Sequence, residues 1–427
     1  MKIADLDALL ARDCSKGSYY KTSFFQIYLD CRFGQLEDLS PEQLGLFAHE
    51  YIHYLQNITT PWGLLSSIVT YESYAETLAA MQQADVIYLP FVVNHNEKHL
   101  MRRSIIDLTE GCSNFSSLLS KQVARDSLAI EYTTQVMKGD DYKIWKASFD
   151  FTDETHHEVT IGAKIIREGM AFMYQQLFDS NASTSHDIPY NLIPIIVEKF
   201  YPELAGDRKK LITLCYLSLF GLNPGELFFQ LLDAAKMVPN HTGIDLRNDF
   251  LTHFRIKGLS GNEVDAIQYQ DEMIDLFDEV LEKFTTCELE FLPLSFNAGR
   301  LSNRIGVPVI DILYTKTQGY NHELLRVLTD YLGIPYLIDN ENHMFSSNTG
   351  RAHLHNDIVF MRLVSLVFET LQNPYSTACS AYLFECNGEV KSNCECVCEP
   401  WDGNKCAFTD AMSHLGLAGK KIKRRSF

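Results

Sequence analysis

The chain has 427 residues, 46% of them hydrophobic and 22% charged, a globular composition long enough for two or three structural units around a sizeable core. A formal net charge of −18 at pH 7 sets up a long-range field that repels nucleic acid and anionic lipid, so neither is an expected partner. No apolar run is long enough to span a bilayer, and Met1–Ala11 is mixed in charge and lacks the apolar segment of an export signal. The eleven cysteines are then expected to be free thiols or metal ligands in a cytoplasmic protein.

In chain order the pattern is mainly helical with a few short strands, a mainly α (α+β) fold. Ser23–Cys31 partly alternates apolar and polar residues, as a half-buried strand does. Ser40-Pro41-Glu42-Gln43 is a strong helix start: Ser40 suits the N-cap, Pro41 the first helical position, and Gln43 can complete a capping box. The helix is expected to run to about Asn57 behind an apolar face of Leu44, Phe47, Ala48, Tyr51, Ile52 and Leu55, with Thr59-Thr60-Pro61 as its stop. A second helix is predicted over Trp62–Gln83, then an edge strand over Val86–Val93 with Pro90 in it, and a further strand within residues 141–152. Val159–Gly162 is extended, and a helix follows from Ala163 to about Phe178.

Three helical stretches lie between Pro189 and Val238, broken by Pro202, Gly206 and Asn223-Pro224-Gly225. Glu263–Phe284 is a long acidic amphipathic pattern, and Asn356–Leu371 reads as a last buried helix. Beyond Pro374 the chain becomes cysteine-rich and loop-like. The expected units are residues 1–185 as a core carrying the reactive helices, 186–375 as a helical region completing a cleft, and 376–427 as a cysteine-rich tail.

His49-Glu50-Tyr51-Ile52-His53 carries the chemistry. Residues four apart share one face of a helix, so His49 and His53 can reach a single metal ion. Glu50 lies at the edge of that face, where its carboxylate reaches the water that the metal activates rather than the metal itself. A chance match on a surface helix is the alternative; the well-capped, apolar-flanked helix around the motif argues against it.

The motif resembles that of the zincin metallopeptidases. The resemblance covers the motif and its surroundings, not the whole chain, and implies a zincin-like core with a small β-sheet and a catalytic Zn2+. The metzincin form needs a third histidine soon after a glycine; here none occurs between His53 and His95, so that subgroup does not fit. A gluzincin-like arrangement, with a glutamate on a later helix as third ligand, remains.

Two glutamates compete for that place. Glu72 follows His53 after 18 intervening residues, a gap similar to that of the aminopeptidase branch. Glu168, in Glu168-Gly169-Met170-Ala171, is closer to the gluzincin wording, in which small residues let two helices approach. Its neighbours Ile161, Ile165, Ile166, Met170, Phe172 and Met173 are apolar, and a lone carboxylate there is costly unless paired or metal-bound. Gly169 in mid-helix costs about 1 kcal/mol and calls for a packing reason. Glu168 is the better candidate and Glu72 the alternative. Tyr174 lies on the same helix, where it suits an oxyanion donor or a core residue equally.

Six cysteines fall after residue 378, and such a cluster suits a structural zinc site, with Cys386, Cys394, Cys398 and Cys406 as the ligand set chosen here. Cys14, Cys31, Cys112, Cys215 and Cys287 are scattered and read as core thiols. His156-His157 and His353/His355 read as surface or satisfied polar residues, and the basic residues 420–425 as a solvated terminus. The expectation is a zinc-dependent peptidase acting on a protein or peptide substrate, with Glu50 as general base. The competing expectation is a catalytically inactive zincin-like binding or regulatory protein.

Overall fold

A computed structural model describes residues 18–21, 25–89, 91–111, 121–183, 186–284, 291–306, 308–315, 319–341, 343–345 and 407–424, with positions 364, 367, 368 and 371. Two short strands, β1 (Tyr19–Lys21) and β2 (Gln26–Tyr28), open it as an antiparallel pair. Helix α1 (Pro41–Thr59) starts at the predicted capping box: the Gln43 N–H donates to Ser40 Oγ at 3.3 Å and the Ser40 N–H to Gln43 Oε1 at 2.9 Å. It runs two residues past the expected Asn57. Thr60 closes it and caps α2 (Pro61–Gln83), accepting from the Gly63 N–H at 3.2 Å.

Strand β3 (Val86–Leu89) is shorter than the predicted Val86–Val93, because residues 91–96 leave the strand and lead into α3 (Glu97–Glu110). An antiparallel meander follows, β4 (Ala129–Met137), β5 (Asp140–Asp150) and β6 (His156–Thr160), and delivers the chain to α4 (Ala163–Phe178), whose bounds match the sequence reading. The three anticipated helices are α5 (Leu192–Phe200), α6 (Arg208–Ser218) and α7 (Pro224–Met237). Beyond them lie α8 (Gly243–His253), the hairpin β7 (Arg255–Lys257) and β8 (Glu263–Asp265), then α9 (Ala266–Phe284), α10 (Phe291–Ile305), the short α11 (Pro308–Asp311) and α12 (His322–Leu332). The acidic amphipathic stretch is thus a strand followed by a helix.

Strand β9 (Tyr336–Ile338) returns to lie parallel to β2, and β10 (Met344–Phe345) completes a four-stranded sheet of order β1-β2-β9-β10. Val364, Val367, Phe368 and Leu371 are helical and buried, the spacing of one apolar helix face. After α13 (Ala407–His414), strand β11 (Lys421–Arg424) pairs parallel to β3. The reading of a solvated terminus holds for the exposed side chains of Lys421 and Lys423, but the backbone of Lys421–Arg424 is a paired strand. Ile422 is buried opposite Ile87, and Lys420 Nζ donates to the Ala84 carbonyl at 2.9 Å. The lysines flank an apolar residue that carries the strand inward, a short-range signal overridden by a partner more than 300 residues away.

The described residues amount to thirteen helices and small sheets, a mainly helical α+β fold. One continuous buried cluster includes residues from Phe25 through α1, α2, α4, α6, α9 and α12 to Ile422. Among the described residues no helix is long and apolar enough to cross a membrane.

Candidate metal centre

Helix α1 places His49 and His53 one turn apart on a face that is closed over: both are 7% exposed. Helix α4 crosses this face at Gly45, where a Cβ would stand 2.9 Å from the Asp179 Cβ and 3.3 Å from the Gln175 Cγ. The close approach of the two helices therefore rests on Gly45 of α1. Gly169, for which the sequence suggested that role, packs elsewhere: a Cβ there would meet Ile193 Cγ1 of α5 at 3.1 Å.

From α4, Glu168 reaches back between the histidines. Its Oε2 lies 3.6 Å from His49 Nε2 and 3.4 Å from His53 Nε2. Donors placed about 2.0–2.1 Å from a tetrahedral ion stand about 3.3–3.4 Å apart, so the carboxylate oxygen lies at about the separation of a ligand set from each imidazole nitrogen. His49, His53 and Glu168 form a candidate metal-binding group.

The other ring nitrogens are anchored by amides. His49 Nδ1 faces Gln175 Oε1 at 3.1 Å, and His53 Nδ1 faces Gln56 Oε1 at 3.0 Å. For His53 the chemistry fixes the tautomer. Arg167 Nε donates to the same Gln56 oxygen at 3.1 Å, and a guanidinium can only donate, so that atom is the amide oxygen and not its nitrogen. The Gln56 Nε2 in turn donates to the Arg167 carbonyl at 3.2 Å. An amide oxygen only accepts, so His53 carries a proton on Nδ1; the neutral ring then has its Nε2 lone pair on the Glu168 side, as a ligand needs, and the protonated ring donates there to the carboxylate. Arg167 is itself held by Asn57 Oδ1 at 2.9 Å and lies over the Trp62 ring, 5.6 Å from its centroid. These supports were not legible in the sequence, since Gln56, Arg167 and Gln175 belong to no motif.

Burial pushes the Glu168 carboxyl up, but the two histidines outweigh it and hold the group well below the ordinary carboxylate value. Burial likewise pushes His49 down, and Glu168 and Glu50 together raise it above the usual imidazole value. Glu50, 7% exposed, stays out of the ligand set. Burial raises its pKa against the pull of His49, His53 and a hydrogen bond from the Tyr20 main chain in β1. The Tyr20 ring stacks on His53 at 6.5 Å between centroids, and Tyr190 meets His49 edge-on at 5.8 Å. Tyr174 lies in the core, fully buried and stacked on Phe178.

No family model, curated protein or solved structure matches this chain. What is said of the site therefore rests on its own residues.

The remaining sequence candidates are placed as follows. Glu72 lies on α2, ion-paired to Arg102 and 3.6 Å from His99 Nδ1. Burial pushes its carboxyl up, but His99 and Arg102 outweigh this and hold it below the ordinary value. His156 is exposed beside Asp150 at 2.9 Å, and His157 packs on Phe151. Cys215 is buried and Cys31 half-buried, both free thiols. Cys386, Cys394, Cys398 and Cys406, with Cys14, Cys112, Cys287, His353 and His355, lie outside the described residues. A second candidate metal-binding group, Glu76, His95 and His99, was missed; its signal was a second pair of histidines four residues apart.

Proposed function

We propose that His49, His53 and Glu168 hold a zinc ion and that the chain is a zinc-dependent peptidase acting on a protein or peptide substrate. The observation that carries this reading is the convergence of two imidazole Nε2 atoms on one carboxylate oxygen, 3.4 and 3.6 Å from it, beside a buried glutamate outside the set. The donor chemistry fits the ion: borderline imidazoles plus one carboxylate suit zinc, and three protein ligands are the number found in catalytic sites. When bound, zinc supplies a Lewis acid that polarises a carbonyl and lowers the pKa of water.

The chain's own groups do the rest. Glu50 takes the proton from the attacking water on its carboxylate and returns it to the leaving amine, so one side chain serves as base and then as acid. Its burial suits that task, because a raised pKa brings the carboxyl closer to the pH at which it must both accept and release a proton. Gln56, Arg167 and Gln175 keep the imidazoles oriented. A purely structural metal site has no use for such a base.

Glu50→Gln separates binding from chemistry. With a library of quenched fluorescent peptides as substrate, the variant retains wild-type zinc content and loses about 10²–10⁴-fold in hydrolysis rate. Unchanged hydrolysis in Glu50→Gln overturns the mechanism. Zinc retention with no hydrolysis by the wild type favours a binding protein.

A further inference from the structure

A second cluster lies between α2 and the start of α3. His95 and His99 sit four residues apart at the entry to α3, and Glu76 projects from the last turns of α2. One donor atom from each of the three lies within 4.8 Å of the others. His95 Nδ1 is 2.6 Å from Glu76 Oε2, and the two imidazole rings stand 4.4 Å apart between centroids. Asn96 lies between them and serves both parts: its Oδ1 caps α3 by accepting the His99 N–H at 3.0 Å, and its Nδ2 donates to Glu76 Oε1.

His99 is the telling member. It is 3% exposed, and its Nδ1 makes no hydrogen bond among the described residues. It faces Glu72 Oε2 across 3.6 Å, the separation of a long ion pair. With His95 and Glu76 alongside, two imidazoles and two carboxylates gather at one place, the donor types of a zinc-class ion. Arg102 neutralises one carboxylate only, so Glu72 and Glu76 together leave the cluster anionic.

We infer that Glu76, His95 and His99 form a second site for a zinc-class divalent cation, with Glu72 as the carboxylate beside His99. Imidazole and carboxylate donors select this class over calcium or magnesium, which take oxygen ligands. The bound ion ties residues 91–96 and the first turn of α3 to α2. Its role is structural, because the cluster holds no carboxylate placed as Glu50 is: Glu76 is among the ligands and Glu72 is engaged by Arg102. The inference does not depend on the peptidase reading.

The test is zinc content of the full-length protein after equilibration with micromolar zinc. Glu76→Gln/His95→Ala should hold about one zinc per chain less than wild type while keeping His49, His53 and Glu168 loaded. It should also lose the part of the zinc-dependent rise in Tm that the site supplies, a few degrees. The same variant made in a His49→Ala/His53→Ala background should show the same decrement, which separates this site from the first. Should the double variant lose its helical signal, His95→Ala alone, at a position 23% exposed, should bind the ion at least about tenfold more weakly. Zinc content and affinity equal to wild type in both variants overturn the inference.

Discussion

The pairs His49/His53 and His95/His99 each face a glutamate from another helix, yet their surroundings differ in every other respect. At the first pair the glutamate oxygen lies 3.4–3.6 Å from both imidazoles, and a further carboxylate, Glu50, is buried beside them. At the second, Glu76 is already 2.6 Å from one histidine, its side chain and that of His95 are 22–23% exposed, and the neighbouring carboxylate is engaged by Arg102. The donors are the same in kind; what stands next to them decides the chemistry. Beside the first group stands an acid held by a main-chain N–H alone, and beside the second an acid tied to an arginine.

That contrast can be broken. Glu168→Ala removes the carboxylate shared by both imidazoles, so hydrolysis of the peptide library should fall by about 10³-fold or more together with zinc at that site. Glu76→Ala should leave hydrolysis within about twofold. Equal losses in the two variants would erase the distinction. Next in size, Gln56→Ala frees the His53 ring and should weaken zinc binding at the first site by about 10–100-fold, read by competition with a chelating dye. An unchanged affinity would mean that the amide does not hold the tautomer.

The smallest expected effect is a control outside both clusters. Asp339, buried at the end of β9, accepts from the main-chain N–H groups of Glu341 and His343 at 2.9 and 2.7 Å and from that of Phe33 at 3.3 Å. Burial pushes its carboxyl up, but these donors and the His343 imidazole, 3.1 Å from Oδ2, outweigh it and lower the pKa. A depressed folded value means the contribution is whole above the unfolded value of about 4 and is lost as pH falls through the folded one. Asp339→Asn should cost about 1–3 kcal/mol at neutral pH, with the gap to wild type closing as pH falls through the depressed folded value. A gap independent of pH would show that the charge is not what matters there.

Much of the first site was legible because its signals are local. Ser40, Pro41 and Gln43 mark where α1 starts, and the four-residue spacing of His49 and His53 fixes their common face. Glu168 stood out as a carboxylate among apolar neighbours, a conflict that burial sharpens. The supports were hidden because they are defined by the pairing of distant segments: nothing near Gln56 in sequence announces Arg167, 111 positions on. Gly45 was missed because a glycine reveals only that something comes close, not what. Strand β4 escaped for the opposite reason: it is exposed on both faces, so no burial alternation marks it despite its Ile, Tyr, Thr and Val residues. The pairing of β11 with β3 spans the chain, and no local pattern encodes it.

The central claim is that His49, His53 and Glu168 share one ion. Anomalous scattering measured on either side of the zinc absorption edge, from crystals of the full chain grown with zinc, addresses it directly. The account predicts an anomalous peak within bonding distance of His49 Nε2, His53 Nε2 and a Glu168 carboxylate oxygen. Zinc present elsewhere in the same crystals with no peak at these three atoms would contradict it.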